Sequence, residues 1–239
     1  MKASHETMTR PSFLARATAL LLVAAASSAG WASPPPADSA GARIATAGTP
    51  NGAPACAGCH GARGEGTGAF PHLAGTGAAY LREQLEAFAG GTRKNEIMAP
   101  IARALSPEQR TQVADHYAGL SRPAAAPDRE ARGPADLGAW IATRGRWDDG
   151  LPACAQCHGP GGSGVGTSFP PLAGQPAAYL AQQLKAWQAG ARPAGPLGLM
   201  EAVARKLKDP DIQAVSDYYA GLAAASAAAP MAAGTKGTP

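Results

Sequence analysis

The pattern Cys-x-x-Cys-His occurs twice in this chain of 239 residues and uses all four of its cysteines. The two copies are Cys56-Ala-Gly-Cys59-His60 and Cys154-Ala-Gln-Cys157-His158. In this pattern the two thiols can form thioethers with the vinyl groups of a porphyrin, while the adjacent imidazole ligates the iron from one face. The sequence therefore predicts two covalently attached haem c groups, around which the chain must fold.

Other interpretations of the cysteines agree less well with the sequence. A disulfide framework would suit an exported protein, but it leaves the histidine after each pair unexplained. A thioredoxin-like dithiol requires a βαβ context, and no alternation of strand and helix patterns flanks either motif. A zinc site of four cysteines would join two distant motifs and leave both histidines without a role. We therefore favour haem.

The two motifs are parts of a longer internal repeat. Matching segments lie 97 to 102 residues apart and follow the same order in both halves of the chain. They are residues 41–48 and 138–145, 70–75 and 169–174, 80–88 and 179–187, and 117–120 and 219–222. The repeat predicts two tandem domains with one fold.

The ends of the chain and the middle differ in composition from the repeat. Residues 1–32 resemble a secretory signal, with basic residues before an apolar run too short for a comfortable membrane span; an uncleaved anchor is the alternative. We expect haem domains at residues 33–122 and 136–223 and an extended Pro/Ala-rich linker at 123–135. Residues 224–239 read as a disordered tail. The signal predicts export to the periplasm.

Apolar periodicity predicts an all-α fold, in which a few helices of each domain wrap around one haem. Residues 78–89 place apolar side chains on one helix face, and residues 178–189 repeat the pattern. Ser106 before Pro107 predicts the N-cap of a last helix in the first half. Asp209 starts the matching helix in the second half.

The second axial ligand of each iron separates electron carriers from catalysts. Met98 and Met200 are the candidates, because they share the pattern Met-x₃-Ala-x₂-Leu and each is the single methionine of its haem unit. His72 and His116 compete in the first half, but their counterparts in the repeat are a proline and a tyrosine. We expect these two histidines to be surface or locally hydrogen-bonded residues. Each methionine is thus predicted to share its iron with the histidine of the preceding motif.

Two interpretations remain open for Pro71 and Pro170. A proline carbonyl can accept a hydrogen bond from Nδ1–H of the ligating histidine and fix its tautomer. Alternatively, both residues are turn prolines with no part in the haem site.

Both halves carry the same four motifs in the same order, namely Cys-x-x-Cys-His, Phe-Pro-x-Leu-Ala-Gly, Tyr-Leu-x-x-Gln-Leu and Met-x₃-Ala-x₂-Leu. With these motifs the chain resembles the two-haem class I cytochromes c, and most of all the cytochrome c-four family. The resemblance covers residues 41–222. It implies two small all-α domains with facing haems, the axial pairs given above, and the four cysteines as thioether anchors. The function implied is periplasmic electron transfer between a cytochrome bc complex and a haem-copper terminal oxidase.

Three classes of function are compatible with two haems. An electron carrier needs both irons saturated by His and Met and meets only redox protein partners, without a small-molecule substrate. A dihaem enzyme, such as a peroxidase or a thiosulfate-oxidising dehydrogenase, needs an open iron site. A cytochrome subunit docked to a dehydrogenase would carry the same residues as the free carrier. Nucleic acid binding is not indicated, because the net charge of +4 includes two units from residues 1–32 and no Lys/Arg cluster is present.

Overall fold

The structure is a computed structural model and describes residues 38–124 and 126–222. Within these residues the regular structure is helical, and strand-like pairing is limited to isolated bridges. The all-α prediction is therefore confirmed. The predicted signal at residues 1–32 and the predicted tail at 224–239 lie outside the described residues. None of the described helices is long and apolar enough to cross a membrane.

Within residues 38–124 and 126–222, each half contains five α-helices in the same order, as the repeat predicts. In the first half they are α1 (Ala40–Ala47), α2 (Ala57–His60), α3 (Ala78–Ala89), α4 (Met98–Arg103) and α5 (Pro107–Gly119). In the second half they are α6 (Leu137–Thr143), α7 (Ala155–His158), α8 (Ala177–Gln188), α9 (Leu199–Arg205) and α10 (Asp209–Gly221). Short 3₁₀ turns are described in the second half at Trp147–Asp149, Pro160–Gly162 and Pro196–Gly198.

The predicted helix limits agree with the structure to within one residue. Helix α3 spans the expected range, and α8 begins and ends one residue before its expected limits. Ser106 caps α5 in a capping box, in which its hydroxyl accepts from the Gln109 amide and the Gln109 side chain accepts from the Ser106 amide. At α10 the carboxylate of Asp211 accepts from the Lys208 amide instead.

The first and last helices of each half cross at a glycine. A Cβ atom on Gly41 would lie 2.1 Å from the carbonyl oxygen of Gln112, and one on Gly138 would lie 2.3 Å from that of Ala214. Only glycine allows the two helix backbones to approach this closely. This crossing holds the two ends of each half together and leaves the middle of the half free to surround the haem.

Each half has its own apolar core beside the haem motif. The first core is built around Ile44, Leu81, Leu105, Val113 and Tyr117. The second is built around Ile141, Leu151, Ile212, Val215 and Tyr219. Ile44, Val113 and Tyr117 correspond in the repeat to Ile141, Val215 and Tyr219 on the matching helices, so the repeat in sequence is also a repeat in packing.

The described residues of the segment predicted as a linker form no helix or strand, and they make hydrogen bonds with the second half. Asp128 accepts hydrogen bonds from the Tyr218 hydroxyl at 2.9 Å and from the Gly161 amide at 2.7 Å. The Ala126 amide donates to the carbonyl of Leu222. The connection is thus fixed to one domain by specific hydrogen bonds.

The two halves also contact each other directly, and here one expectation was wrong. His72, expected at the surface or in local hydrogen bonds, is only 9% exposed and lies at the interface. Its backbone forms a reciprocal pair of hydrogen bonds with the side chain of Gln175, 103 residues away. The repeat hides this role, because Pro171 and Thr76 occupy the corresponding positions.

Candidate haem sites

Both Cys-x-x-Cys-His motifs form a single helical turn. The first cysteine immediately precedes α2 or α7, and the second cysteine and the histidine lie within the turn. In each turn the histidine amide donates to the carbonyl of the first cysteine at 2.9 Å. One helical turn brings residues three and four apart onto the same side, so both sulfurs and the imidazole face one cavity. The four cysteines form no disulfide with one another, and the second cysteine of each pair is more exposed than the first.

A proline carbonyl holds each buried histidine of the motifs. Nδ1 of His60 lies 2.9 Å from the oxygen of Pro71, and Nδ1 of His158 lies 2.8 Å from that of Pro170. A carbonyl oxygen only accepts, so Nδ1 carries the hydrogen and Nε2 keeps the lone pair that an iron needs. Of the two interpretations left open for these prolines, the structure supports the acceptor role.

The surroundings of these imidazoles favour their neutral form. Burial lowers the pKa of His60 and of His158, although the proline carbonyls act in the opposite direction. Neutral imidazole is the form that ligates a metal. Phe70 and Phe169 stand edge-on to the two rings with centroids 6.1 Å apart, which restricts ring rotation.

One continuous cavity of about 660 Å³ connects the two motifs. All four cysteines and both motif histidines line it, together with mainly apolar side chains from the helices of both halves. Within the described residues, no carboxylate lines this cavity. A mainly apolar space with thiols and imidazoles at its wall fits the porphyrin that the motifs predict.

The two candidate methionine ligands line the same cavity. Met98 is the first residue of α4, where its amide donates to the Asn95 side chain at 2.8 Å. Met200 is the second residue of α9 and lies 12 residues after the end of α8, whereas Met98 lies 9 residues after the end of α3. The structure thus brings each methionine to the cavity of its motif; iron ligation by Met98 and Met200 stays a prediction.

The electrostatics of the cysteines disfavour the competing sites. Burial raises the pKa of the Cys56 thiol and raises that of Cys154 to about 11. A redox-active dithiol requires the opposite shift. Among the described residues no group of three or more His, Cys, Asp or Glu side chains could hold a metal ion.

Some polar residues of the cavity escaped the sequence interpretation. Tyr80, Gln84 and their counterparts Tyr179 and Gln183 were noted only as parts of a repeated helix. In the structure they line the cavity together with Arg93 and Arg192. One sequence pattern could have identified these residues. In both halves polar side chains recur on an otherwise apolar helix face, and an arginine follows the helix.

Two domains that each contribute a thioether motif and a carbonyl-oriented histidine to one mainly apolar cavity define a dihaem class I cytochrome c. The chain belongs to the cytochrome c family, whose model matches residues 39–121 and 151–223. It carries two covalent haem c groups, bound through Cys56 and Cys59 and through Cys154 and Cys157.

Three proteins that are similar to this chain indicate which kind of cytochrome c it resembles. A thiosulfate dehydrogenase electron acceptor from Stutzerimonas stutzeri (strain A1501) is 46% identical over 185 residues, which are 76% of this chain and 86% of that protein. The structure of thiosulfate dehydrogenase (TsdBA) from Marichromatium purpuratum is 42% identical with a TM-score of 0.69, over 76% of this chain but 39% of that longer chain. Reduced cytochrome c4 from Pseudomonas stutzeri is 32% identical with a TM-score of 0.64, over 77% and 96% of the two chains.

The last comparison agrees with the resemblance to the cytochrome c-four family. The first adds the electron acceptor of a dehydrogenase, and the second adds a thiosulfate dehydrogenase. The sequence interpretation had considered both kinds of protein only as alternatives. The electron acceptor and cytochrome c4 are electron-transfer proteins, and the residues of this chain fit that class.

Proposed function

We propose that this chain is a periplasmic electron carrier that accepts single electrons from a thiosulfate-oxidising dehydrogenase and passes them to a further redox protein. The observation that carries the proposal is the 46% identity to a thiosulfate dehydrogenase electron acceptor, which extends over both haem domains. The similarity to 39% of a longer thiosulfate dehydrogenase chain supports it, because there a region like this one is continuous with the rest of that protein.

The residues around the cavity support a carrier over an enzyme. A peroxidase needs an open iron coordination site and acid/base groups beside it. Here each haem unit offers a methionine as a second ligand, and the described cavity wall contains no carboxylate. Ligation by His and Met saturates an iron and raises its reduction potential, so each iron would cycle between ferric and ferrous without binding a substrate.

The exposed cysteines provide a route for electrons. Cys59 and Cys157 are exposed whereas the motif histidines are buried. A thioether formed at an exposed cysteine places that edge of the haem at the protein surface. Each domain can therefore exchange electrons with a partner that docks over its second cysteine.

The number of haems matches the electron count of thiosulfate oxidation. Coupling of two thiosulfate ions into one tetrathionate forms one S–S bond and releases two electrons without a proton. The dehydrogenase would perform this bond formation, and one chain of the carrier would take both electrons, one at each ferric iron. The carrier itself makes and breaks no bond.

A reduction assay with purified components tests the proposal. The ferric holoprotein is mixed with thiosulfate, with and without a purified thiosulfate dehydrogenase, and reduction is followed in the haem absorption bands. We expect both haems to be reduced only when enzyme and thiosulfate are present together. Reduction by thiosulfate alone would indicate a catalytic cytochrome, and no reduction with an active enzyme would contradict the proposed donor.

The resemblance to the cytochrome c-four family, with which the 32% identity to cytochrome c4 agrees, implies a second candidate donor, a cytochrome bc complex, with a terminal oxidase as acceptor. Faster reduction by the bc complex than by the dehydrogenase, at matched enzyme concentration, would favour this alternative. The periplasmic location rests on the predicted signal at residues 1–32. Determination of the N-terminus after export, expected near residue 33, tests it.

A further inference from the structure

Two buried arginines lie where the two haem domains meet. Arg93 follows helix α3 and Arg192 follows α8, and they are 5% and 6% exposed. They occupy equivalent positions of the repeat, 99 residues apart. Both guanidinium groups line the cavity that connects the haem motifs.

Arg93 reaches from the first domain into the second. Its Nη2 donates to the side-chain oxygen of Gln183 at 2.5 Å and to the hydroxyl of Tyr179 at 3.2 Å. Its Nη1 donates to Gln84 of its own domain at 2.9 Å. The guanidinium also stacks over the ring of Phe88 at 4.4 Å.

Arg192 makes the reverse contacts. Its Nη2 donates to the hydroxyl of Tyr80 at 2.6 Å and to the side-chain oxygen of Gln84 at 3.2 Å, both in the first domain. Its Nη1 donates to Gln183 of its own domain at 3.1 Å, and it stacks over Trp187 at 3.9 Å. The two arginines therefore form a crossed pair related by the repeat.

The partners of this arginine pair are all neutral. Among the described residues neither guanidinium lies in an ion pair, and no carboxylate lines the cavity. A buried cation without an anion is strongly unfavourable. The positive charge of the two arginines also acts on Tyr179. Burial alone would raise the pKa of its hydroxyl, but the two guanidiniums together bring that pKa below its usual value. The interface thus has an excess of positive charge.

The haems supply the missing anions. Each haem c carries two propionate carboxylates, and a guanidinium binds a carboxylate through two parallel hydrogen bonds. Tyr80 and Tyr179 accept from the arginines, so their own O–H hydrogens are free to donate to a further acceptor in the cavity. We propose that Arg93 and Arg192 are the counter-ions of haem propionates that meet at the domain interface.

This assignment rests on haem binding and not on the identity of the electron donor. It makes each arginine a positioning residue that belongs to one domain and also contacts the other. The two haems then share one charge network. A change of charge at either arginine alters the reduction potential of the nearby haem, since a positive charge favours the ferrous state.

The test is a redox titration of holoprotein variants. We expect Arg93→Gln and Arg192→Gln each to lower the midpoint potential of at least one haem, because an unneutralised propionate favours the ferric iron. Arg93→Lys and Arg192→Lys keep the charge and should shift the potential less. Arg82→Gln removes an arginine that is exposed on α3 and paired with Glu86, and it should leave both potentials unchanged.

Two results would overturn the assignment. One is wild-type potentials in both glutamine variants; the other is an equal shift in the lysine and glutamine variants, which would indicate packing instead of charge. If a variant does not fold, the crystal structure of the unmodified holoprotein tests whether the arginines bind the propionates. A guanidinium nitrogen within about 3.2 Å of a propionate oxygen confirms the assignment, and propionates that avoid both arginines contradict it.

Discussion

At the scale of single residues, the haem histidines are oriented by groups from outside their motif. His60 and His158 donate to carbonyl oxygens that come 11 and 12 residues later in the chain. The Phe-Pro segment of the repeat therefore belongs to the haem site, since it selects the tautomer and leaves Nε2 for the iron. A backbone carbonyl serves this purpose without adding a titratable group.

Replacement of a methionine ligand should open one iron and leave the other unchanged. In Met98→Leu or Met200→Leu the side chain keeps its approximate volume but loses the sulfur. We expect half of the haem to become high-spin and to bind carbon monoxide, with a lower midpoint potential at that haem. Absorption and redox titration measure both effects, and the unmutated domain is the internal control. An unchanged spectrum in either variant would exclude that methionine as a ligand.

The roles of residues whose spacing in the chain indicates their chemistry were predictable from the sequence. The roles of residues that depend on contacts formed in the folded protein were not. The cysteines and histidines of the motifs have a spacing that few other sites use. Pro71 could be named, but its acceptor role depends on where a loop folds. Arg93 looks like any surface arginine, and His72 was placed wrongly, because burial between domains leaves no local pattern in the sequence.

At the scale of helices, the crossing of the first and last helix depends on one small residue per domain. Gly138→Ala would push a methyl group to within 2.3 Å of the Ala214 carbonyl oxygen, so α6 and α10 must separate. We expect a loss of about 1–3 kcal/mol of unfolding free energy, measured by urea denaturation of the holoprotein. Gly221→Ala, at a position in α10 with open space around it, should be neutral. Equal stability of the two variants would contradict this packing.

The last helix of the second domain begins at an ion pair that the first domain lacks. Asp211, with a side chain only 7% exposed, accepts from both Nη atoms of Arg146 at 2.9 Å and from the Lys208 amide. Asp211→Gln copies Gln109, which caps α5, so it keeps a cap and loses the charge. Asp211→Asn should cost about 1–2 kcal/mol, with a smaller loss for Asp211→Gln.

The same ion pair predicts a pH dependence. The hydrogen bonds from Arg146 hold the pKa of Asp211 below its ordinary value. A carboxyl with a lowered pKa in the folded state contributes stability above its unfolded pKa of about 3.9, and this contribution disappears as the pH falls through the folded pKa. Wild type should therefore lose more stability than Asp211→Asn between pH 5 and about pH 3. The melting temperatures of the two proteins are measured over that pH range. An equal decrease in both would contradict a stabilising contribution from the Asp211 carboxylate.

At the scale of the whole molecule, the haems complete the core of two small domains. A cavity of about 660 Å³ runs between the motifs, and a unit of this size buries little apolar surface by itself. A variant with all four cysteines replaced by alanine cannot attach haem, and we expect it to show no cooperative melting in far-UV circular dichroism. The holoprotein is the control, and a stable cooperative transition without haem would contradict the expectation.

The repeat predicts two domains and their helices, but it does not predict how they meet. Domain packing depends on polar contacts such as that of Gln175 with the His72 backbone, and on Arg122, which donates to carbonyls of equivalent residues in the two domains. These contacts are specific to one copy of the repeat or to the connection. A comparison of the two halves therefore identifies the residues of the common fold, but it does not identify the residues that form the contacts between the domains.

We propose that this chain is a dihaem electron carrier in which a histidine and a methionine saturate each iron. The most direct test is the absorption spectrum of the holoprotein in the ferric state and in the ferrous state, with carbon monoxide then added to the ferrous form. His/Met ligation at both irons predicts two low-spin haems, a methionine–iron charge-transfer band in the ferric state, and no response to carbon monoxide. A high-spin fraction near half of the haem that binds carbon monoxide would contradict the claim and would indicate a catalytic iron.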